Sequence, residues 1–366
     1  MSRRRYSYSY SPTPRGERQR RRSQGRPNGW VLLGILACVV VSAVVLRQVF
    51  TVGGDGESFA AESPCWREIA CSAERVQSHQ STSVDESDAE QSGGSGDLEQ
   101  EIVRSEADPP GIVASAVAVI EEPCGAVVHA FNEHERYSPA SLTKIATALV
   151  AAGRLDLRQT VHVTVDGGAL SAENDATVMG LTPGQNLSVT DLLYGMLLPS
   201  GNDAAIQIAE QVAGSVEEFT DLMNAYVADA GLEDTVFKNP HGLDEPGHFT
   251  SAYDIAMLGR QLLRNPTLAY IVSTRSYQPP WDGPPLRNLN LLLGQYPGAL
   301  GVKTGYTDQA GQTLVAAAER QGRRYVVSIL GSRDIFVDAT ALLDWAFQSA
   351  PPACAPVGGD QVAAAR

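Results

Sequence analysis

Apolar and polar positions divide the chain into five stretches of different character. Residues 1–29 contain no apolar run and are rich in Arg, Ser, Tyr and Pro, a composition that predicts disorder. Trp30 to Leu46 then runs without a charge, and apolar residues resume at Val49-Phe50, so 30–50 approaches the roughly 20 residues that span a bilayer. Residues 51–108 return to Ser, Glu, Asp and Gly with few large apolar side chains, which predicts a flexible tether. Residues 109–349 carry the periodic patterns of a folded domain, and 350–366 are a tail rich in Pro, Ala and Gly.

Within 109–349, Ile112–Ile120 and Ala126–Phe131 read as strands joined by a Pro-Cys-Gly turn, a hairpin. Pro139 and its small polar neighbours open a buried helix that runs through Ala152. Val161–Val165 is a short strand. Helical spacing follows at Thr190–Leu198, Ile206–Val212, Val216–Ala230 and Ser251–Leu263, the last with Ser251 and Asp254 at capping-box separation. Gly298–Thr307, Gln312–Ala318 and Arg324–Leu330 read as strands, and Val337–Phe347 as a closing helix. Early and late strands around a helical block predict an α/β (α+β) domain. Its terminal strands are expected to share one sheet, covered by the Ser141 helix and the last helix.

Charge changes this picture at the N-terminus. The formal net charge is −14, yet residues 1–29 carry nine arginines against Glu17, which leaves about −22 on the remainder. Basic residues on one side of an apolar run predict an uncleaved signal anchor, single-pass, with the N-terminus in the cytoplasm and the domain outside. A cleavable signal peptide is the rival reading, but the nearest small-residue site, Ser58-Phe59-Ala60, lies far past the run. The expected partner of residues 30–50 is therefore the lipid bilayer, and nucleic acid is not expected. Five cysteines build no disulfide scaffold in a chain this long. Cys38 falls in the span, Cys65 and Cys71 are close enough to pair, and Cys124 and Cys354 read as a core thiol and a tail thiol. No Cys-x-x-Cys or His-Glu-x-x-His spacing occurs, so neither a metal nor another cofactor is expected.

Candidate chemistry begins at Ser141. Lys144, three residues on, shares its helix face, and a desolvated lysine is able to take a serine proton. Ser200-Gly-Asn202 follows a predicted helix, in a loop that aims a hydroxyl and an amide into a cleft. Gly301-Val-Lys303-Thr304-Gly305-Tyr306-Thr307 reads as an edge strand whose glycines let a substrate backbone lie close. Lysine usage gives the motifs added weight. Lysine occurs only at 144, 238 and 303 among twenty-eight Lys plus Arg, and two of those three fall in the motifs. Arginine holds its proton in proteins, whereas a buried lysine releases it. Lys303 is expected to depress the pKa of Lys144 by like-charge repulsion and to help hold an anionic substrate.

Ser-x-x-Lys, Ser-x-Asn and Lys-Thr-Gly in this order match the penicillin-recognising serine acyl-transfer enzymes. From about Pro110 to Phe347 the chain resembles the D-alanyl-D-alanine carboxypeptidases, the low-molecular-mass penicillin-binding proteins. The likeness extends through Asn239-Pro-His-Gly-Leu-Asp244, Thr250-Ser-Ala-Tyr-Asp254, Asn288-Leu-Asn290 and Tyr296-Pro-Gly298. It implies a β-lactamase/DD-peptidase-like fold, an antiparallel sheet flanked by helices plus a mostly helical subdomain. It also implies peptidoglycan stem peptides as substrate and β-lactams as acylating inhibitors. Carried over, Ser141 is the nucleophile and Lys144 its base. Ser200 relays a proton to the leaving amine, and Asn202 orients Lys144 and the substrate amide. Lys303, Thr304, Gly305 and Tyr306 bind substrate, with the N–H groups of Ser141 and Tyr306 as oxyanion hole. Asn239–Asp244, His241 included, is expected to brace the site.

Three departures accompany the resemblance. Only Arg333 stands where relatives carry an arginine for the substrate carboxylate. A Pro/Ala/Gly-rich stretch follows Phe347, so neither the appended β-rich domain nor the C-terminal amphipathic anchor of several relatives is expected there, and the N-terminal span is expected to take the anchor's place. A β-lactamase on the same fold, with Glu233 or Glu245 as hydrolytic carboxylate, and a DD-endopeptidase are the alternatives.

Overall fold

The structure, a computed structural model, describes residues 108–354 apart from Asp175 and Asp282. The arginine tail, the apolar run, all of the tether before Asp108, the Cys65–Cys71 pair and the tail from Ala355 lie outside the described residues. Among the described residues no helix is long and apolar enough to cross a membrane.

Nine strands and eight α-helices follow one another in the described chain. Strands β1 (Ala116–Glu121) and β2 (Ala126–Phe131) form the expected hairpin. A 3₁₀ turn (Ala140–Leu142) leads into α1 (Thr143–Ala152). Next come β3 (Thr160–His162), α2 (Gly167–Asn174), β4 (Asn186–Ser188), α3 (Val189–Leu197), α4 (Asn202–Ala213) and α5 (Val216–Asp229). They are followed by α6 (Ala252–Arg264), α7 (Pro266–Ser273), β5 (Ser276–Tyr277) and β6 (Leu286–Arg287). The chain closes with β7 (Ala299–Thr307), β8 (Gly311–Arg320), β9 (Arg323–Ser332) and α8 (Ile335–Ser349).

Early and late strands do share one sheet, antiparallel throughout, in the order β2-β1-β9-β8-β7. Every residue of β1 is buried, because β1 is an interior strand with helices on both faces. Alternate side chains divide between two cores. Val117 and Val119 pack with Leu314, Val327 and Ile329 under α8. Ala116, Ala118 and Ile120 pack with Val315 and Val326 toward the helical block. One expectation fails here. The Ser141 helix does not cover the sheet: α6 lies on β1 and β9, α7 lies on β7, and α1 packs behind them against α4, α5 and α6. Helix α6 holds that place by close approach: Gly259 lets it pack directly on Val315 of β8, where an added Cβ would lie 2.6 Å from the valine Cγ1.

The capping expectation at α6 holds by half. Ser251 Oγ accepts the Asp254 N–H at 3.2 Å, but the Asp254 carboxylate accepts from Asp234 N and Thr235 Oγ1 instead. The reciprocal box occurs at α3, between Ser188 and Asp191. The two thiols expected to be separate, Cys124 and Cys354, form a disulfide across 230 residues of sequence. The chain leaving α8 returns to the β1–β2 turn, where the buried Glu121 carboxylate accepts the N–H groups of Ala353 and Cys354 and binds Arg323. Sequence distance concealed what the fold's edge brings together.

Candidate active site

Ser141 lies in the 3₁₀ turn, not in the α-helix proper, and Lys144 occupies the first turn of α1. Their spacing works as expected: Lys144 Nζ is 3.0 Å from Ser141 Oγ. The same nitrogen lies 2.7 Å from Asn202 Oδ1 and 2.5 Å from the His241 carbonyl. Asn202 is the first residue of α4, one position past the loop where the spacing put it, and its N–H donates to Thr177 O at 2.8 Å. Ser200 sits between α3 and α4 at φ +71°, a left-handed conformation that a non-glycine residue keeps only when its surroundings enforce it. Gly201 provides that enforcement, wedged against Gly195 O and Met179 N where a Cβ would fall at 2.9 Å from each. Ser200 is 5% exposed, and its hydroxyl has no hydrogen-bond partner among the described residues.

Strand β7 is the sheet edge, as its glycines suggested, and runs past the serine turn. A Cβ on Gly305 would lie 2.9 Å from the Ser141 amide nitrogen. Lys303 is buried and donates to the Thr304 carbonyl at 2.8 Å. Thr304 and Gly305 are half-buried, and Tyr306 is exposed with its hydroxyl on Asp308. The structure thus brings Ser141, Lys144 and Asn202 into direct contact and lays Lys303–Tyr306 along the same turn.

Both motif lysines are fully buried, and neither forms a salt bridge among the described residues. Burial holds Lys144 well below the usual lysine range; the charge of Lys303 pushes the same way, and Asp203 opposes. Burial alone lowers Lys303 to about 7. Burial thus favours the neutral amine at both lysines, and at Lys144 the neighbouring charge of Lys303 adds to it.

The segment 239–245 braces the site through its backbone. Asn239 Oδ1 accepts Gly242 N and its amide donates to Leu243 O. Asp244 takes Ser138 Oγ at 2.7 Å and Thr307 Oγ1 at 2.8 Å, which joins the approach to Ser141 to the end of β7. His241 contributes its carbonyl; its ring is pushed down to about 3 by burial, Lys144 and His248, and stays neutral.

Two residues that sequence reasoning passed over also serve the site. Asp203 is fully buried and accepts the N–H groups of Met179, Gly180 and Leu181, which pins the loop beside Asn202. Its position directly after Ser-x-Asn was the available signal. His248 is buried beside Thr143, and nothing in the sequence marked it. Arg333 is exposed in the turn before α8, in no salt bridge among the described residues. Glu233 and Glu245 are exposed; Glu245 meets the Asn239 amide at 3.2 Å, and the Glu233 carbonyl accepts from Arg136.

The fold that carries this site is similar to solved penicillin-binding and DD-peptidase structures. Penicillin-binding protein 6B from Escherichia coli superposes with a TM-score of 0.62 at 34% identity, over 66% of this chain and 80% of that one. The Streptomyces K15 DD-transpeptidase superposes with a TM-score of 0.63 at 29% identity, over 66% of this chain and 99% of that one. The model of peptidase family S11, D-alanyl-D-alanine carboxypeptidase, matches residues 103–334, and the chain belongs to that family. D-alanyl-D-alanine carboxypeptidase DacF of Bacillus subtilis is 35% identical over 248 residues, which is 64% of this chain and 62% of the relative. The chain spans just under two thirds of the length of the first curated relatives it matches.

Proposed function

We propose that the protein is a serine-type D-alanyl-D-alanine carboxypeptidase that removes the terminal D-alanine of peptidoglycan stem pentapeptides through an acyl-serine. The hydrogen bonding of Lys144 carries the reading. Its Nζ faces two carbonyl oxygens, Asn202 Oδ1 and His241 O, which only accept. A neutral amine has two N–H groups for them and one lone pair left over. The third neighbour is Ser141 Oγ, so the lone pair meets the hydroxyl whose proton must leave.

Ser141 Oγ then attacks the carbonyl of the scissile D-alanyl bond while Lys144 accepts its proton. The N–H groups of Ser141 and Tyr306 receive the developing oxyanion, an interaction of about 2.7–4 kcal/mol where one such donor has been removed elsewhere. Lys303 and Thr304 hold the terminal carboxylate. The unpartnered Ser200 hydroxyl passes its proton to the departing D-alanine amine and regains one from protonated Lys144, and Asn202 keeps Lys144 aligned. Water hydrolyses the acyl-serine by the reverse sequence. β-Lactams acylate the same serine. The β-lactamase reading gains no support, because neither Glu233 nor Glu245 makes a hydrogen bond to Ser141 or Lys144.

The domain works outside the cell, tethered to the membrane through residues 30–50. Arginines on one side of that run support this orientation. The Cys124–Cys354 disulfide supports it independently, since such bonds persist in oxidising compartments. The test is release of D-alanine from a pentapeptide ending in D-Ala-D-Ala. The full chain is expected to release it and Ser141→Ala to release none; equal release by both would end the proposal.

A further inference from the structure

The catalytic reading leaves the buried imidazole of His248, close behind the nucleophile turn, without a role. His248 is 3% exposed, packed edge-on to Phe237, and lies within hydrogen-bond distance of two groups. Lys238 N–H donates to its Nδ1 at 2.9 Å, so the ring proton resides on Nε2. Nε2 faces Thr143 Oγ1 at 2.9 Å and donates to it. With that oxygen accepting, the Thr143 hydroxyl sends its own proton to the Ala140 carbonyl, also at 2.9 Å. The bonds share one direction, from Lys238 N–H through His248 and Thr143 to Ala140 O. The Thr143 backbone N–H donates to that carbonyl as well, and Gly242 packs against it so closely that a Cβ would fall 1.9 Å away.

The Ala140 carbonyl belongs to the same rigid peptide unit as the Ser141 N–H, and in a trans peptide the two point in opposite directions. Fixing the oxygen at one edge aims the N–H at the other. Ala140 itself sits at φ +48°, a conformation an alanine holds only under external constraint. The geometry points to His248 as a positioning residue for the nucleophile turn: through Thr143 it locks the Ala140–Ser141 peptide plane, and with it the N–H that receives the oxyanion. This rests on the proposed acyl-serine reading, because it assigns that N–H its work. An oxyanion donor acts on the transition state rather than on the bound ground state. Loss of the relay is therefore expected in the acylation step and not in β-lactam binding.

Two measurements on the full chain in detergent test it. The first is rapid-quench acylation by benzylpenicillin, separated into a saturation constant and a limiting rate. His248→Phe fills the space without a donor, and Thr143→Val keeps the shape without a hydroxyl. Each is expected to slow the limiting rate roughly tenfold or more, with the saturation constant within about twofold of wild type. Thr143→Ser and His248→Gln, which retain a hydroxyl and an N–H donor, restore the rate to within about threefold. The double variant His248→Phe/Thr143→Val is no slower than the worse single, since both break one chain.

The second measurement does not depend on activity. Ala-Ser occurs only at 114–115 and 140–141, so carbonyl-13C-alanine and 15N-serine labelling yields two correlated amide signals. The Ala140–Ser141 signal is expected to move in His248→Phe and Thr143→Val and to stay in Thr143→Ser, with Ala114–Ser115 unmoved throughout. The positioning role is overturned if that signal stays in both disabling variants, if Thr143→Ser is as slow as Thr143→Val, or if the loss appears only in the saturation constant. A wild-type chain that never acylates, with the signals behaving as described, overturns the acyl-serine reading and leaves the positioning role standing.

Discussion

The two faces of the sheet bury different things. Under α8 the core is almost entirely hydrocarbon: Val117, Leu314 and Ile329 meet Leu342, Leu343 and Ala346. Toward the helical block the chain buries Lys144, Asn202, Asp203, His248 and, on the edge strand, Lys303. Burying an ammonium with no acidic partner costs stability, and it is offset only by hydrogen bonds to fixed carbonyls. Hydrocarbon packing on both faces, with the larger cluster on the helical side, therefore supports that unfavourable arrangement. The difference separates what holds the domain together from what gives it chemistry.

The largest effect belongs to the polar face. Lys144→Arg replaces an amine that releases its proton with a guanidinium that does not. Acylation by benzylpenicillin is expected to fall by roughly a thousandfold or more, within the range that general bases contribute. Lys303→Arg, which keeps the charge at the carboxylate subsite, is expected to retain part of the activity; equal loss in both would assign Lys303 a finer geometric role than charge.

On the apolar face the expected change is in stability alone. Leu343→Ala removes a fully buried side chain and should cost about 2–5 kcal/mol by denaturant unfolding. The acylation rate of the folded fraction should remain that of wild type. A matching loss of rate would mean that the two faces are coupled more tightly than their packing implies.

The Lys303 titration sharpens the contrast through pH. Its folded pKa of about 7 lies below the unfolded value of 10.5, so between the two the unfolded chain binds more protons. Stability attributable to Lys303 therefore rises as pH climbs from about 7 toward 10.5. Relative to Lys303→Met, wild type is expected to gain stability across that window in paired urea titrations. A flat difference would show that the buried amine keeps its proton.

Cys354→Ser tests the edge that joins the faces. Opening so long a loop is expected to cost about 2–4 kcal/mol. The Glu121 contacts to Ala353 and Cys354 N–H groups temper the loss. Penicillin acylation should be unchanged, since the bridge lies at the β1–β2 turn and touches no residue of the site.

Legibility in the sequence follows the same division. Periodicity located β2, β7–β9, α5 and α8 closely, because each has a continuous or alternating apolar face, and found β1 but started it too early, at Ile112 instead of Ala116. It missed α7, although Asn265 caps it and Pro266 opens it, and it missed α2, whose two leading glycines argue against a helix. The β5–β6 pair is too short to carry a period. At the site, Ser141, Lys144, Ser200, Asn202 and Lys303–Tyr306 were readable as motifs, since their chemistry demands particular residue types at fixed spacing. His248 was not, and Asp203 only by its place directly after Ser-x-Asn, because each serves through backbone groups or a neighbouring hydroxyl, and sequence records no such contact. The Cys124–Cys354 bridge was hidden for a similar reason: 230 residues separate partners that only the return of the chain after α8 brings together.

Everything proposed for the polar face rests on Ser141, activated by Lys144, forming an acyl-enzyme. Intact-mass spectrometry of the full chain over time with benzylpenicillin tests it most directly, with Ser141→Ala as control. Wild type is expected to gain the mass of one penicillin and to lose it slowly, and the variant never to gain it. A wild-type chain that gains no mass, or a variant that gains the same mass, would contradict it.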